Sequence, residues 1–137
     1  MNKYIIETKN LTKKYGSQKS VADLNIHVQK GRIYGLLGRN GAGKTTTMKM
    51  LLGLTKPTSG EVKIWGKSLQ GNEKKLLPRI GSLIESPGFY PNLTATENLR
   101  IFATLRGVPN NHAIQDALDL VGLPYKDKKL FSQYSLG

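Results

Sequence analysis

The chain has no cysteine in 137 residues, which excludes disulfides and thiolate chemistry and suits a cytosolic setting. It is short of acid as well: nine Asp and Glu stand against 21 Lys and Arg, a formal charge of +12. No apolar run approaches the roughly 18 residues needed to cross a bilayer. The start, Met1-Asn2-Lys3-Tyr4-Ile5-Ile6-Glu7, has too short an apolar core for a signal peptide. Any membrane role is therefore expected to come through a partner. Arginine-rich arms, aromatic-interleaved strands and zinc-ligand spacings are also missing. The lysines fall in small groups, Lys13-Lys14, Lys74-Lys75 and Lys126, Lys128, Lys129. They read as solvated faces that attract polyphosphate or an anionic membrane surface, with no nucleic acid partner expected. His27, on a polar strand face, and His112, in the first turn of a helix, read as ordinary surface residues.

What the chain does have is Gly38-Arg39-Asn40-Gly41-Ala42-Gly43-Lys44-Thr45-Thr46. This fits G-x-x-x-x-G-K-[ST] at every fixed position. The apolar run Ile33-Tyr34-Gly35-Leu36-Leu37 feeds it, and a helical segment from Lys44 to about Leu52 follows. Strand, glycine loop and helix together give the pattern a mechanism. The glycines let backbone N–H groups converge on phosphate oxygens, and the helix N-terminus adds the positive end of its dipole. In such a loop Lys44 reaches the β- and γ-phosphates, and the Thr45 hydroxyl sits on Mg²⁺.

Around the loop, residues Lys3 to Asn10 read as a strand. Val21 to Val28 alternates, with Leu24, Ile26 and Val28 on one face and Asp23, Asn25 and His27 on the other, as in a half-exposed antiparallel strand. Ile33 to Leu37 lacks alternation and is expected to be a buried parallel strand. Pro57-Thr58-Ser59-Gly60 turns the chain into a short strand, Glu61 to Trp65. A polar link from Gly66 to about Lys75 leads to a further strand, Arg79 to Ile84, ending at Glu85. The period then becomes helical. Thr94-Ala95-Thr96-Glu97 spells a capping box, followed by Leu99, Phe102, Ala103 and Arg106, with Gly107 as the stop. Asn110 or Asn111 is expected to cap a second helix carrying Ile114, Ala117, Leu118 and Val121 on one face, closed by Gly122 and Pro124.

In this order the motifs resemble the nucleotide-binding subunit of an ATP-binding cassette (ABC) transporter, over the whole chain. The resemblance implies an α/β P-loop NTPase fold: a mixed sheet with an antiparallel β subdomain, the loop strand and helix, and the start of a helical subdomain. It implies one such domain, read as residues 1–85 (core) and 86–137 (helical part), with an incomplete core. Tyr15, after Leu11-Thr12-Lys13-Lys14, stands where the family carries an aromatic that stacks on adenine. Ile80-Gly81-Ser82-Leu83-Ile84-Glu85-Ser86-Pro87 is similar to the Q-loop, which touches Mg²⁺ and relays contact with the membrane domain. Here Glu85 replaces the usual glutamine; a carboxylate can still ligate Mg²⁺ or orient water, which makes Glu85 the catalytic and metal candidate. That glutamate, and Phe89-Tyr90-Pro91-Asn92-Leu93-Thr94-Ala95-Thr96-Glu97-Asn98-Leu99, resemble the bacitracin-resistance and lantibiotic-immunity exporters. Tyr134-Ser135-Leu136-Gly137 is similar to the start of the signature motif, whose serine and glycine, here Ser135 and Gly137, bind the γ-phosphate held by an opposite subunit.

The nucleotide set is thus Tyr15, Gly38, Asn40, Gly41, Ala42, Gly43, Lys44, Thr45, Thr46, Ser135 and Gly137, with ATP and Mg²⁺ as cofactors. The implied partners are a membrane-spanning permease and a second ATP-binding subunit, and the implied location is the inner face of the cell membrane. No four-residue apolar run ending in Asp-Glu is present. The chain accordingly reads as roughly the first half of such a subunit, binding ATP with negligible turnover. The rivals are a nucleotide-binding module without turnover and another P-loop NTPase; the Asn-Lys-x-Asp that reads guanine is absent.

Overall fold

The computed structural model describes residues 3–39, 41, 43–86, 88–108 and 112–135. The chain divides into two compact units, Met1–Ile84 and Glu85–Gly137.

The first unit is built on β1 (Tyr4–Tyr15), which is longer than the expected strand. A bulge carries it past Asn10, whose φ is 48°. Along one edge β1 pairs with β2 (Gln18–Leu24) and β3 (His27–Gln29), and along the other with β4 (Ser59–Ile64), all antiparallel; β5 (Lys67–Ser68) closes the order β2-β1-β4-β5. The Val21-to-Val28 stretch has the alternation that its sequence shows: Ile26 and Val28 are buried, and Asp23, Asn25 and His27 exposed. It is split into two strands at Asn25-Ile26. Thr8 bridges the split: its hydroxyl donates to the Leu24 carbonyl and accepts from the Ile26 N–H, both at 2.8 Å. Thr12 does the same for the irregularity at Asp23, accepting from its N–H at 3.0 Å. These hydroxyls satisfy backbone groups that a regular ladder would have paired, which explains two nearly fully buried threonines.

Gly60 lies opposite the β1 bulge. At φ +85°, a Cβ there would stand 2.3 Å from the Asn10 carbonyl oxygen. Helix α1 (Lys44–Leu51) lays Met50 on the inner face of the sheet among Leu11, Val21, Val62, Ile64, Leu69 and Leu76. Each such burial stabilises by about 1.5–3 kcal/mol relative to exposure. Leu76 belongs to α2 (Glu73–Leu76), a short helix inside the stretch expected to be a polar link.

Two expected strands do not form. Ile33 to Leu37 belongs to no ladder, and Ile33 and Leu37 are 103% and 94% exposed. A parallel strand buries both faces only between neighbouring strands, and none lies beside this one among the described residues. Arg79 to Ile84 likewise forms no strand: Leu77–Arg79 is a 3₁₀ turn, and residues 80–84 have no regular secondary structure. Arg79 instead stacks over Trp65, 4.1 Å from the ring centroid.

The second unit contains α3 (Ala95–Leu105) and α4 (His112–Leu120). The capping box is present as the sequence spells it: the Thr94 hydroxyl accepts from Glu97 N–H, and Glu97 accepts from Thr94 N–H, each at 3.2 Å. Gly107, at φ 66°, follows the end of α3. Helix α4 buries Ile114 and Leu118, whereas Ala117 and Val121, expected on the same face, are exposed. The expected cap at Asn110 or Asn111 lies outside the described residues. Phe89 packs edge-on against Phe102 and Phe131, with centroids 5.1 and 5.2 Å away. No helix among the described residues is long and apolar enough to cross a membrane.

Candidate nucleotide-binding site

The loop between the Ile33–Leu37 segment and α1 owes its shape to two glycines in the left-handed region, Gly41 (φ 82°) and Gly43 (φ 91°). Gly43 is needed for room as well as for φ. A Cβ there would meet the Ser20 carbonyl oxygen at 2.2 Å and Val21 Cγ2 at 3.0 Å. Gly43 also caps α1: its carbonyl accepts from the Thr47 N–H at 2.9 Å and the Thr47 hydroxyl at 2.8 Å. The first N–H groups of α1 have no carbonyl one turn earlier in the helix to bind and open towards the loop.

Lys44 folds back over the loop, its ammonium donating to the Gly38 carbonyl. Beside it lies a cleft of about 430 Å³ lined by Ser20, Gly41, Gly43, Lys44, Thr45 and Thr46. Thr45 is exposed, with no side-chain bond to the protein among the described residues. So Gly38, Gly41, Gly43, Lys44, Thr45 and Thr46 are brought together. Asn40 and Ala42 fall outside the described residues.

Ser20 is a site residue that the sequence pattern did not mark. The β1–β2 register steps from Lys14↔Lys19 to Lys13↔Val21, so Ser20 is the extra residue of a bulge. Bulges re-aim backbone next to functional sites, and this one presents Ser20 to the loop. No motif announces it, because a bulge is a property of pairing. The same hairpin carries Tyr15, which pairs with Gln18 across a two-residue turn containing Gly16 at φ 62°. Tyr15 is 54% exposed and stands about two residues, roughly 7 Å of strand, from Ser20. Lys13 lies 5.2 Å from its ring centroid and donates to the Lys56 carbonyl at 2.8 Å.

The remaining candidates belong to the second unit. Glu85 is its first residue, exposed, with φ 63°. Ser135 is exposed, and Gly137 lies outside the described residues. Next to Ser135, the Tyr134 hydroxyl is enclosed and its pKa is raised, first by burial and then by the Asp127 carboxylate. Asn98 was not singled out by sequence: 1% exposed, it accepts from the Tyr90 N–H at 2.7 Å and donates to the Tyr90 and Thr94 carbonyls at 3.0 and 3.1 Å. It fixes the loop before α3.

A glycine loop closing onto a helix, a lysine folded over it and a free threonine beside a cleft together define a P-loop nucleotide-binding domain. A family model described as ABC transporter matches residues 21–137, and the chain belongs to that family. Over 97% of its length it is 59% identical to a bacitracin transport ATP-binding protein, BcrA, of Bacillus licheniformis, of which it covers 44%. It is 39% identical to a lantibiotic transport ATP-binding protein, SrtF, of Streptococcus pyogenes, covering 56% of that protein. The chain thus spans about half the length of these relatives. Among solved structures it is similar to an ATP-binding subunit of an ABC transporter, with TM-score 0.80 and 28% identity over 96% of this chain and 56% of that one. A second, the dimeric ATP-binding cassette MJ0796 bound to ADP and Pi, has TM-score 0.78 at 24% identity and supports the fold alone. The fold class is that of a partial ABC-type P-loop NTPase.

Proposed function

We propose that this chain binds Mg-ATP through the Gly38–Thr46 loop, and that as part of a subunit of its relatives' length it powers export of a drug or antimicrobial peptide. The observation that carries this reading is the 59% identity to a bacitracin transport ATP-binding protein, which extends through the loop. The residues fit the group. Gly41 and Gly43 line the cleft in left-handed conformation, Lys44 supplies an ammonium, and the Thr45 hydroxyl is free to meet a cation. The Thr45 hydroxyl would hold Mg²⁺, which would supply charge neutralisation to the phosphates.

Lys44 then exchanges the Gly38 carbonyl for phosphate oxygens, a stronger, charge-assisted bond. Tyr15 offers the exposed face of its ring to the base. Glu85 would touch Mg²⁺ or orient water, and Ser135 with Gly137 would complete the site of an opposite subunit. Closing such a pair on ATP is the work step, transmitted to a membrane-spanning permease at the inner face of the membrane. For the 137-residue chain itself we infer binding with negligible turnover, since no apolar run ending in Asp-Glu is present. The test is cellular: a subunit of its relatives' length carrying residues 1–137, co-expressed with a bacitracin permease in a bacitracin-sensitive host, should raise bacitracin tolerance, and Lys44→Ala should abolish the gain. Equal tolerance with and without the intact lysine would refute ATP-driven export.

A further inference from the structure

One face of the β1–β2 hairpin leads from Tyr15 to the phosphate cleft. Tyr15 and Lys13 lie two apart on β1, so their side chains share that face, and Val21, paired with Lys13, is on it too. The face meets the glycine loop: a Cβ at Gly43 would touch Val21 Cγ2 at 3.0 Å, and the Ser20 carbonyl oxygen as well. In a regular strand Ser20 would point away from the side that its neighbour Val21 takes. Here it is the extra residue of the bulge, and Ser20 and Val21 together stand opposite Lys13. Such a bulge re-aims a side chain, and Ser20 lines the cleft together with Gly41, Gly43, Lys44, Thr45 and Thr46. It is half-buried, and among the described residues its hydroxyl has no hydrogen-bond partner.

We propose that the Ser20 hydroxyl hydrogen-bonds a hydroxyl of the bound nucleotide's sugar, so that the site prefers a ribonucleoside to a deoxyribonucleoside triphosphate. This rests on the nucleotide reading above and adds to it a specificity residue outside the G-x-x-x-x-G-K-[ST] pattern. Position along the ligand decides which group Ser20 meets. In that reading the base lies on Tyr15 and the phosphates on the loop. Ser20 is the part of the cleft wall that belongs to the hairpin of Tyr15, roughly 7 Å of strand from it. The phosphates already have donors in the Lys44 ammonium and the N–H groups at the start of α1. The sugar has neither, and its hydroxyls, like that of serine, both give and accept a hydrogen bond. Because Ser20 is only half-buried, water replaces part of a lost bond. The preference is therefore a few-fold, not the roughly 10⁴-fold of a sealed polar pocket.

The test is calorimetric titration of the whole chain with Mg-ATP and with its 2′-deoxy and 3′-deoxy analogues. It compares the unaltered chain with Ser20→Ala and Ser20→Thr. Ser17→Ala, in the turn of the same hairpin and away from the cleft lining, is the control. The unaltered chain should bind Mg-ATP about three- to tenfold more tightly than the analogue that lacks the contacted hydroxyl. Ser20→Ala should weaken Mg-ATP by the same factor and leave that analogue within about twofold, which erases the preference as a pairwise contact requires. Ser20→Thr, which keeps a hydroxyl, should retain both affinity and preference, and Ser17→Ala should match the unaltered chain. Equal weakening of all three nucleotides by Ser20→Ala, or no weakening of any, overturns the sugar contact and leaves the nucleotide reading standing. If the unaltered chain binds no Mg-ATP, the nucleotide reading falls and takes the contact with it.

Discussion

The two units of this chain differ most plainly in charge. Residues 1–84 hold sixteen Lys and Arg against four Asp and Glu, so the entire +12 lies there; residues 85–137 hold five of each and are formally neutral. They also differ in how they are held together. The first unit depends on pairings distant in sequence, β1 with β4 above all, and on bulges at Asn10, opposite Gly60, and at Ser20, against the loop. The second depends on local devices: a capping box, an asparagine that ties up its own loop, and a phenylalanine cluster. A basic, sheet-based unit suits the capture of a polyanion, whereas a neutral helical unit has no such electrostatic task.

Four substitutions test this division, beginning with the largest effect. Lys44→Ala should weaken Mg-ATP about 100- to 1,000-fold, on the order of 3–4 kcal/mol, with the circular dichroism spectrum unchanged. Calorimetry checks it, and a loss below tenfold would mean that the charge of the unit, not the loop, does the binding. Asn98→Ala should cost about 1–2 kcal/mol, because it strands the part-buried Tyr90 N–H and two carbonyls. Hydrogen exchange should show that loss in α3 and α4 while β1 and β4 keep their protection; equal loss in both would deny the units separate stability. Gly60→Ala should do the reverse and cost about 2 kcal/mol in the sheet, since a side chain at φ +85° meets the Asn10 carbonyl. A midpoint shift under about 1 °C would show that the bulge yields easily. Thr94→Ala should cost only about 1 kcal/mol, read as faster exchange in the first turn of α3.

The sequence made the local features legible and the non-local ones not. The loop, the capping box and the in–out alternation of Leu24, Ile26 and Val28 are written in consecutive residues, and the structure has them where the spacing put them. Ile33 to Leu37 has the composition of a buried parallel strand, yet composition cannot supply the neighbouring strands that would bury it. Ser20 enters the site through a register step. That step has no signature in a single strand. Asn98 was visible only as one letter of a helix start; its burial follows from the loop folding back over it. The apolar exposure at Ile33 and Leu37 also predicts dye binding and a tendency to aggregate; a cooperative melt with little dye uptake would speak against it.

The most direct measurement of the central claim is the heat of Mg-ATP binding to the monodisperse chain at low salt, alongside Lys44→Ala. The account predicts a one-site isotherm for the former and none for the latter at the same concentrations. Flat titrations for both, from folded protein, would contradict it.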